Sequence, residues 1–570
     1  SYIFYGKVDG NLLRREMASP EILPPSKATI RPVYRQTEGL HSYMIEQAVS
    51  QALNNAVIKE YLPDRIREKY NLCSLKQALH DIHFPTDFAA LNTARRRLVF
   101  DELFGIQIGM QMIKNSSQRA NSYTVTDDFT EQFESLLPFS FTGAQRRAVG
   151  DCFPDMKRGF LMNRLIQGDV GSGKTAVAAA VCYTAIKNGM QAALMAPTEI
   201  LAEQHFTSFV KMLSSTDVRV ALLTGSTTAK ARSELLSRLA YGDIDLLIGT
   251  HALIQDDVVF DKLGLVITDE QHRFGVNQRA RLSAKGHDPH MLVMSATPIP
   301  RTLALMIYGD LDISVLDELP PGRQTIETYV IQSRLHERAY GYIRKHLDEG
   351  RQGYIVCPLV ADDDGTDTGD MIAAEEYAQR LQNGPFAGYS VGLLHGKMKA
   401  AQKEQVMHRF AAGQIQLLVS TTVVEVGVDV PNAVIMMIEN ADRFGLSQLH
   451  QLRGRVGRGK HKSTCILVSD AQNEEAVTRL NVIKSTCDGF KISEEDLKLR
   501  GPGDFLGSRQ HGLPALKIAD VYADINILHE TQQCAKLILG SDPELAAPEN
   551  AELRRVAEGV KDRMTYIEMN

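Results

Sequence analysis

The chain has 570 residues, of which 44% are hydrophobic and 23% are charged, and its formal net charge is −6. These values are ordinary for a globular protein and predict three or four domains. The longest apolar runs are too short to cross a membrane, and no secretory signal is recognisable at the start. The negative net charge argues against bulk electrostatic binding of nucleic acid, although it is compatible with a local basic groove.

The seven cysteines indicate neither a zinc site nor a disulfide framework. No two of them have the spacing of a metal-binding knuckle, their number is odd, and their density is low. This usage fits a reducing compartment.

The N-terminal part is predicted to contain strands followed by helices. Residues 1–35 suggest two β-strands, which cannot fold alone and are predicted to end a barrel whose beginning is missing. Residues 36–130 form a helical linker in this prediction, with breaks at Pro63 and Pro85. The polar residues 119–134, which include the end of this segment, are predicted to be a loop.

The middle of the chain predicts an α/β fold. Residues 131–322 and 323–472 each alternate helical patterns with short runs such as "AALMAP" and "QLLVST", which are apolar throughout. Such runs are typical of parallel strands that are buried on both faces. Residues 473–570 are predicted to form a helical hairpin, a Gly-rich loop and C-terminal helices.

The segment "GDVGSGKT" at 168–175 predicts a phosphate-binding loop. It follows the apolar "RLIQ" and precedes an Ala-rich helix, which is the strand–loop–helix context that a P-loop requires. Backbone N–H groups and the helix N-terminus would cradle phosphates, Lys174 would reach the β- and γ-phosphates, and Thr175 would hold Mg²⁺. The nucleotide-binding residues predicted from this loop are Gly168, Asp169, Gly171, Ser172, Gly173, Lys174 and Thr175. A chance match in a Gly-rich turn is the alternative.

Two further segments end predicted strands with polar residues. In "VITDEQH", Asp269 is placed to hold Mg²⁺, directly or through water, and Glu270 is the candidate general base for the attacking water. A solvated acidic turn is the alternative interpretation. The segment "SAT" at 295–297 is informative only together with the other two motifs, and then suggests a coupling element beside the γ-phosphate.

The segment "QLHQLRGRVGR" at 448–458 predicts catalytic residues in the second α/β domain. It supplies Gln451, Arg455 and Arg458, and the two arginines are three residues apart, so they would share a face of a helix. Guanidinium groups suit phosphoryl oxygens, so both could act as arginine fingers toward ATP on the first domain. A solvated basic face is the alternative. With the P-loop, the pattern predicts a cleft that closes on ATP, as in a motor.

The ordered set "GDVGSGKT", "APTEILAEQH", "IGTHALI", "DEQHRFGV", "SATPIPRT", "TTVVEVGVDVPNA" and "QLHQLRGRVGR" resembles superfamily-2 helicases, and within them the bacterial RecG branch-migrating DNA translocases. The resemblance covers roughly residues 15–540. The segment "LKLRGPGDFLGSRQHG" at 497–512 is similar to the translocation motif that RecG shares with the transcription-repair coupling factor Mfd.

This resemblance implies a fold and an activity. Residues 1–35 would be the remnant of an oligonucleotide-binding wedge barrel, residues 131–322 and 323–472 two tandem RecA-like domains, and residues 473–570 the translocation motif with C-terminal helices. The protein would be an ATP- and Mg²⁺-dependent helicase that migrates Holliday junctions and regresses stalled forks in recombination and repair. It would act on branched and duplex DNA as a monomer in the bacterial cytoplasm, at the nucleoid, with a single-stranded DNA-binding protein as partner and no membrane association.

The resemblance also implies roles for individual residues. Gln145 would read adenine, and Gly427 and Asp429 would contact nucleotide from the second domain. His272 and Thr297 would link the γ-phosphate to the DNA groove, and Arg500 and Gln510 would couple closure to movement of the hairpin. The residues implied along the DNA track are Thr198, Thr250, His251, His395, Lys397 and Thr421.

One departure from the family and two rival interpretations accompany this hypothesis. Most of the wedge barrel is not recognisable in the chain, which puts junction recognition by these residues in doubt. An Mfd-like or other double-stranded DNA translocase is the first rival, although Mfd's polymerase-binding region and the zinc cysteines of the restart helicase PriA are not found. A DNA-binding scaffold with a decayed ATPase is the second, and the intact Lys174, Glu270, Arg455 and Arg458 argue against it.

Overall fold

The computed structural model describes residues 2–569 except 7, 11–14, 18–19, 24–29, 31, 36, 117–122, 124, 271–275, 297–310, 322–323, 359–368, 422–429, 501–515 and 521–522. The chain divides into two compact units, which are Ser1–Ser117 with Thr302–Asp310 and Pro502–Asn570, and Gln118–Arg301 with Leu311–Gly501. Helices and strands are numbered in chain order. Within the described ranges, every helix is too short or too polar to span a bilayer.

The β-structure at the start of the first unit consists of four short strands, where two longer ones were predicted. They are β1 (Ile3–Tyr5), β2 (Val8–Gly10), β3 (Arg15–Met17) and β4 (Glu21–Leu23). β1 pairs antiparallel with β4, and β2 with β3. Gly6 interrupts the first predicted strand and Pro20, which cannot donate to a ladder, interrupts the second.

The helices predicted for the linker and the C-terminus are confirmed. They are α1 (Ser42–Asn55), α2 (Asp64–Lys69), α3 (Leu75–Asp81), α4 (Phe88–Ser116), α17 (Ile525–Ser541) and α18 (Ala551–Met569). Pro63 and Pro85 lie between helices, as expected. The fully buried Arg97 of α4 donates to Glu60 and Asp101, and burial nevertheless raises the pKa of Asp101 to about 6.

The second unit begins with a helix where a loop was predicted. Its helix α5 (Thr130–Leu136) overlaps the polar segment, because Phe133 is buried against the following domain and outweighs the polarity of its neighbours. The helices that follow are α6 (Gly143–Lys157), α7 (Lys174–Lys187), α8 (Glu199–Met212), α9 (Ala229–Ala240) and α10 (Val276–Ser283).

These helices accompany a seven-stranded sheet. Its strands are β5 (Asn163–Gly168), β6 (Gln191–Met195), β7 (Val220–Leu223), β8 (Leu246–Gly249), β9 (Leu263–Asp269), β10 (His290–Ser295) and β11 (Asp312–Leu316). The order is β11-β5-β10-β9-β6-β8-β7, and every neighbouring pair is parallel. All strands therefore end at one edge, where α/β proteins bind ligands.

A second parallel sheet of six strands follows. Its strands are β12 (Glu327–Ile331), β13 (Gln352–Val356), β14 (Val391–Leu394), β15 (Leu417–Ser420), β16 (Ala433–Ile438) and β17 (Thr464–Val468), in the order β12-β17-β16-β13-β15-β14. Its helices are α11 (His336–Asp348), α12 (Gly369–Asn383), α13 (Ala400–Ala411) and α14 (Leu446–Arg453). The predicted pair of α/β sheets is confirmed.

Both sheets carry apolar cores on both faces, which explains why their strands are apolar throughout. Each sheet also has a buried glutamine at the start of a central strand. The Gln191 amide donates to the Leu239 and Ile244 carbonyl oxygens, and the Gln352 amide to those of Phe410 and Ile415. The Leu239 and Phe410 carbonyl oxygens also accept the N–H groups of Gly242 and Gly413, whereas those of Ile244 and Ile415 have the glutamine amide as their described partner.

The predicted helical hairpin follows the second sheet as α15 (Glu474–Ser485) and α16 (Gly489–Arg500). All seven cysteines are free thiols. Cys152, Cys182, Cys465 and Cys534 are buried, and burial raises the pKa of Cys152 to about 12. Cys487, in the turn of the hairpin, is exposed.

Candidate nucleotide-binding site

The P-loop connects β5 to α7 at the carboxyl edge of the first sheet. Gly173 stands before the helix at φ +86°, a left-handed conformation that favours glycine. The Lys174 ammonium donates to the Gly168 carbonyl oxygen at 2.8 Å and to that of Asp169 at 3.0 Å. Burial lowers the pKa of Lys174, and nearby carboxylates, with that of Glu270 foremost, oppose this shift.

Gln145 joins the start of α6 to this loop. Its side-chain oxygen accepts from the Thr142 N–H at 2.9 Å in a capping box, and its amide nitrogen donates to the Ser172 carbonyl oxygen at 2.8 Å. A Cβ atom at Gly173 would come within 2.1 Å of that nitrogen. Any residue larger than glycine at this position would therefore displace Gln145.

The acidic pair follows β9 directly. The two carboxylate oxygens of Asp269 accept hydrogen bonds from His205 of α8 at 2.8 Å and from the Glu270 N–H at 3.1 Å. Burial alone would raise the pKa of Asp269, but His205 and Lys174 more than offset it, so the pKa is lowered and the carboxyl stays ionised. Glu270 has φ +56°, a conformation that non-glycine residues adopt at an energetic cost and that is frequent at functional sites.

The P-loop, the acidic pair and the predicted arginines line one cleft of about 530 Å³. Its lining includes Lys174, Thr175, His205, Asp269, Glu270, Ala296, His408, Arg455 and Arg458. Sequence positions almost 300 residues apart therefore contribute to the same site.

The two arginines lie beyond the helix on which they were predicted. α14 ends at Arg453, and Arg455 and Arg458 belong to the following turn. The helix ends there because Gly454 follows it and Gly457 adopts φ +79°. The prediction of a shared helix face is wrong, although both side chains reach the cleft. Gln451 is half-buried in the last turn of α14.

One histidine links the P-loop to the second sheet and was not predicted as a site residue. His450 of α14 lies with Nε2 2.7 Å from Asp169 Oδ1, and its Nδ1 lies 3.0 Å from an Arg453 nitrogen. Arginine only donates, so Nδ1 must accept and Nε2 must carry the proton that is donated to Asp169. The buried Arg453 also donates to the carbonyl oxygens of Ile483 and Thr486, at the end of α15.

The six residues assigned to the DNA track lie at or just beyond the carboxyl ends of strands. Thr198 caps α8 after β6, and Thr250 and His251 follow β8. In the second sheet, His395 and Lys397 follow β14 and Thr421 follows β15. Thr250 and Thr421 are buried, and in the described part of the chain their hydroxyl groups have no hydrogen-bond partner.

Several residues that were assigned roles from the sequence are not among the described residues. His272, Thr297, Gly427, Asp429 and Gln510 lie outside the described residues. Arg500 is the last residue of α16. Their roles stay predictions.

The donor set of the cleft fits a nucleotide phosphate with Mg²⁺. The buried Ser172 hydroxyl has no partner among the described residues, at the place where a P-loop turns its backbone toward phosphate. The Thr175 hydroxyl and the Asp269 carboxylate are hard oxygen ligands of the kind that Mg²⁺ prefers. Thr175 and Asp269 are the residues that would hold the ion.

Fold and site together define a P-loop helicase with two RecA-like sheets. The family model described as DEAD/DEAH box helicase matches residues 144–306, and the helicase conserved C-terminal domain matches residues 338–460. A third model, described as ATP-dependent DNA helicase RecG, domain 3, C-terminal, matches residues 486–566.

Individual relatives narrow the class to one family. The chain is 48% identical to ATP-dependent DNA helicase RecG of Bacillus subtilis over 532 residues, which is 92% of this chain and 77% of that protein. It is 47% identical to RecG of Synechocystis over 94% of this chain and 65% of that protein. A solved structure of RecG bound to a three-way DNA junction matches 92% of this chain and 70% of its own, with 42% identity and a TM-score of 0.71. The chain belongs to the RecG family.

Proposed function

We propose that this protein hydrolyses ATP to move on duplex DNA, driving the branch migration of Holliday junctions and the regression of stalled forks. The observation that carries the proposal is the single cleft in which the P-loop, the acidic pair and two arginines meet, in a member of the RecG family. The related RecG structure holds a three-way DNA junction, and we carry this substrate class over to the present chain.

ATP would enter this cleft through its phosphates. Lys174 would exchange its two carbonyl acceptors for the β- and γ-phosphates, since an ammonium prefers anionic oxygens. Mg²⁺, held by Thr175 and Asp269, would neutralise charge on the same phosphates. Glu270 would take the proton of the attacking water, a role for which it lies in the cleft beside Lys174.

The second sheet would supply charge stabilisation. Arg455 and Arg458 line the cleft opposite the P-loop, and guanidinium groups at this position stabilise the oxygens of a transferring phosphoryl group. Since they lie on a different sheet from Lys174, hydrolysis would depend on the spacing of the two sheets. Gln451 would support this arginine segment from α14.

The DNA track would run along the remaining strand ends of both sheets. The hydroxyl groups of Thr250 and Thr421, which have no described partner, support this assignment. A DNA phosphate oxygen would give each of them a hydrogen-bond acceptor. Contacts of this kind are independent of sequence, as a translocase requires. His272, Thr297, Arg500 and Gln510 would couple the nucleotide site to this track and to the hairpin.

We expect a monomer, a location at the bacterial nucleoid because the track is DNA, and a single-stranded DNA-binding protein as partner.

Steady-state ATP hydrolysis tests the proposed function. It would be measured without nucleic acid and with single-stranded DNA, linear duplex, a four-way junction or RNA. Strongest stimulation by the junction is expected. Equal stimulation by every DNA form would support the ATP-driven motor but would mean that the residues of this chain do not recognise junctions. Strongest stimulation by RNA would contradict the proposal.

A further inference from the structure

A buried histidine holds the carboxylate that we assign to Mg²⁺. His205 lies in the middle of α8, on the face that also buries Leu201, Ala202 and Phe209. Its Nε2 atom is 2.8 Å from Asp269 Oδ2, and both side chains are largely buried. An ionised carboxylate only accepts, so Nε2 carries the proton of this bond.

Because of this contact, the two carboxylate oxygens of Asp269 have different hydrogen-bond partners. Oδ2 faces His205, whereas Oδ1 accepts the more distant Glu270 N–H at 3.1 Å. The imidazole is rigid and packed in a helix, so it fixes the plane of the carboxylate. Without it, Asp269 could rotate toward Lys174, whose positive charge already lowers the pKa of Asp269. An Asp269–Lys174 ion pair would occupy both the metal ligand and the phosphate-binding cation.

We infer that His205 is a positioning residue for Mg²⁺, because it holds Asp269 Oδ2 and prevents the carboxylate from pairing with Lys174. Partners of this kind, behind the direct ligands, typically change metal affinity or activity by about 10- to 100-fold when they are removed. The inference rests on the proposed ATP site, but not on the DNA track.

Two substitutions separate the hydrogen bond from the packing. His205→Leu fills the space on α8 without a donor, and His205→Gln keeps an N–H donor at the end of a side chain of similar length. Lys211→Ala is the control, because Lys211 is exposed on the same helix and is not among the residues that line the cleft.

The measurements use the full chain without DNA. Binding of a fluorescent ADP analogue is titrated in MgCl₂ and in EDTA, and the Mg²⁺ concentration for half-maximal basal ATP hydrolysis is determined. We expect His205→Leu to raise that concentration about tenfold and to weaken binding in MgCl₂ but not in EDTA. His205→Gln should stay within about threefold of the wild type, and Lys211→Ala should match the wild type.

Two results would overturn the inference. One is an unchanged Mg²⁺ requirement in His205→Leu, and the other is an equal loss of nucleotide affinity with and without the ion, which would give His205 a general structural role. Neither depends on DNA stimulation. A wild-type protein that binds Mg²⁺ and nucleotide but ignores DNA would contradict the proposed function and leave this test intact.

Discussion

The edge strands of the two sheets repeat one structure. In the first sheet, β7, α9 and β8 span 220–249, and in the second, β14, α13 and β15 span 391–420. Gly242 and Gly413 end the two helices with the same φ of +75°. The amides of Gln191 and Gln352 then donate to two carbonyl groups around each of these turns.

The two sheets differ in the charged side chains that they bring to the cleft. The first contributes Lys174 with the carboxylates of Asp269 and Glu270, and the second contributes Arg455 and Arg458. A repeated scaffold thus carries two complementary halves of one site. In the proposed function the first half would hold the nucleotide and the second would stabilise the reaction, so that neither sheet alone would be an efficient ATPase.

Lys174→Ala is expected to have the largest effect, because it removes phosphate binding and charge stabilisation together. We expect kcat/KM for ATP to fall by about 10⁴-fold, with DNA binding retained. Steady-state hydrolysis and a DNA-binding titration measure the two properties. Lys187→Ala, at the other end of α7, is the control. Normal turnover in Lys174→Ala would refute the P-loop assignment.

Arg455→Ala tests whether the second sheet acts in catalysis while the first binds the nucleotide. We expect kcat to fall by about 10³-fold while the affinity for nucleotide changes little, since in the proposed function the first sheet would make most of the binding contacts. Single-turnover hydrolysis and an equilibrium titration separate the two effects. Arg409→Ala, an exposed position on α13, should have no effect. A parallel loss of affinity would mean that the second sheet also binds nucleotide in the ground state.

The repeated glutamines test the shared scaffold. Gln191→Leu and Gln352→Leu remove the glutamine donor from the Ile244 and Ile415 carbonyl oxygens, respectively, so each should cost about 2 kcal/mol of stability. Hydrogen exchange should report the loss in the sheet that carries the substitution. Gln414→Leu, at an exposed position, is the control. Equal loosening of both sheets by either variant would show that they unfold as one unit.

Thr250→Val and Thr421→Val should have the smallest effects. Each should weaken DNA binding, whereas neither should lower the stability of the fold. Each would remove one proposed contact to DNA, worth about 1 kcal/mol or roughly fivefold in affinity, together with a buried hydroxyl group that has no described partner. The melting temperature should stay equal or rise. Thr184→Val removes a similar hydroxyl group in the last turn of α7 and should leave DNA affinity unchanged. Unchanged DNA affinity in the first two variants would contradict the proposed track.

Much of the fold follows from local sequence patterns. Apolar runs between helical patterns predict both parallel sheets, because strands buried on two faces need no polar alternation. Helix α5 was not predicted. Its Phe133 is buried against the following domain, and the sequence of the helix alone does not indicate this contact. The helix end before Arg455 was also missed, although Gly454 and Gly457 indicate it.

The motif residues of the site could be predicted, whereas the histidines that support them could not. His205 and His450 both lie inside helical patterns, where an imidazole is indistinguishable from a packed core residue. Their partners, Asp269 and Asp169, are 64 and 281 positions away in the chain. Only the tertiary structure brings these pairs together.

The exposed thiol of Cys487 makes the hairpin accessible to optical measurement. It lies between α15 and α16, whereas the other six cysteines are buried or half-buried. Because maleimides react with accessible thiolates, a fluorophore would attach preferentially at this position of the unmodified chain. The motion of the hairpin during each ATP cycle could then be followed in single molecules on DNA, without first rebuilding the protein as a cysteine-free variant.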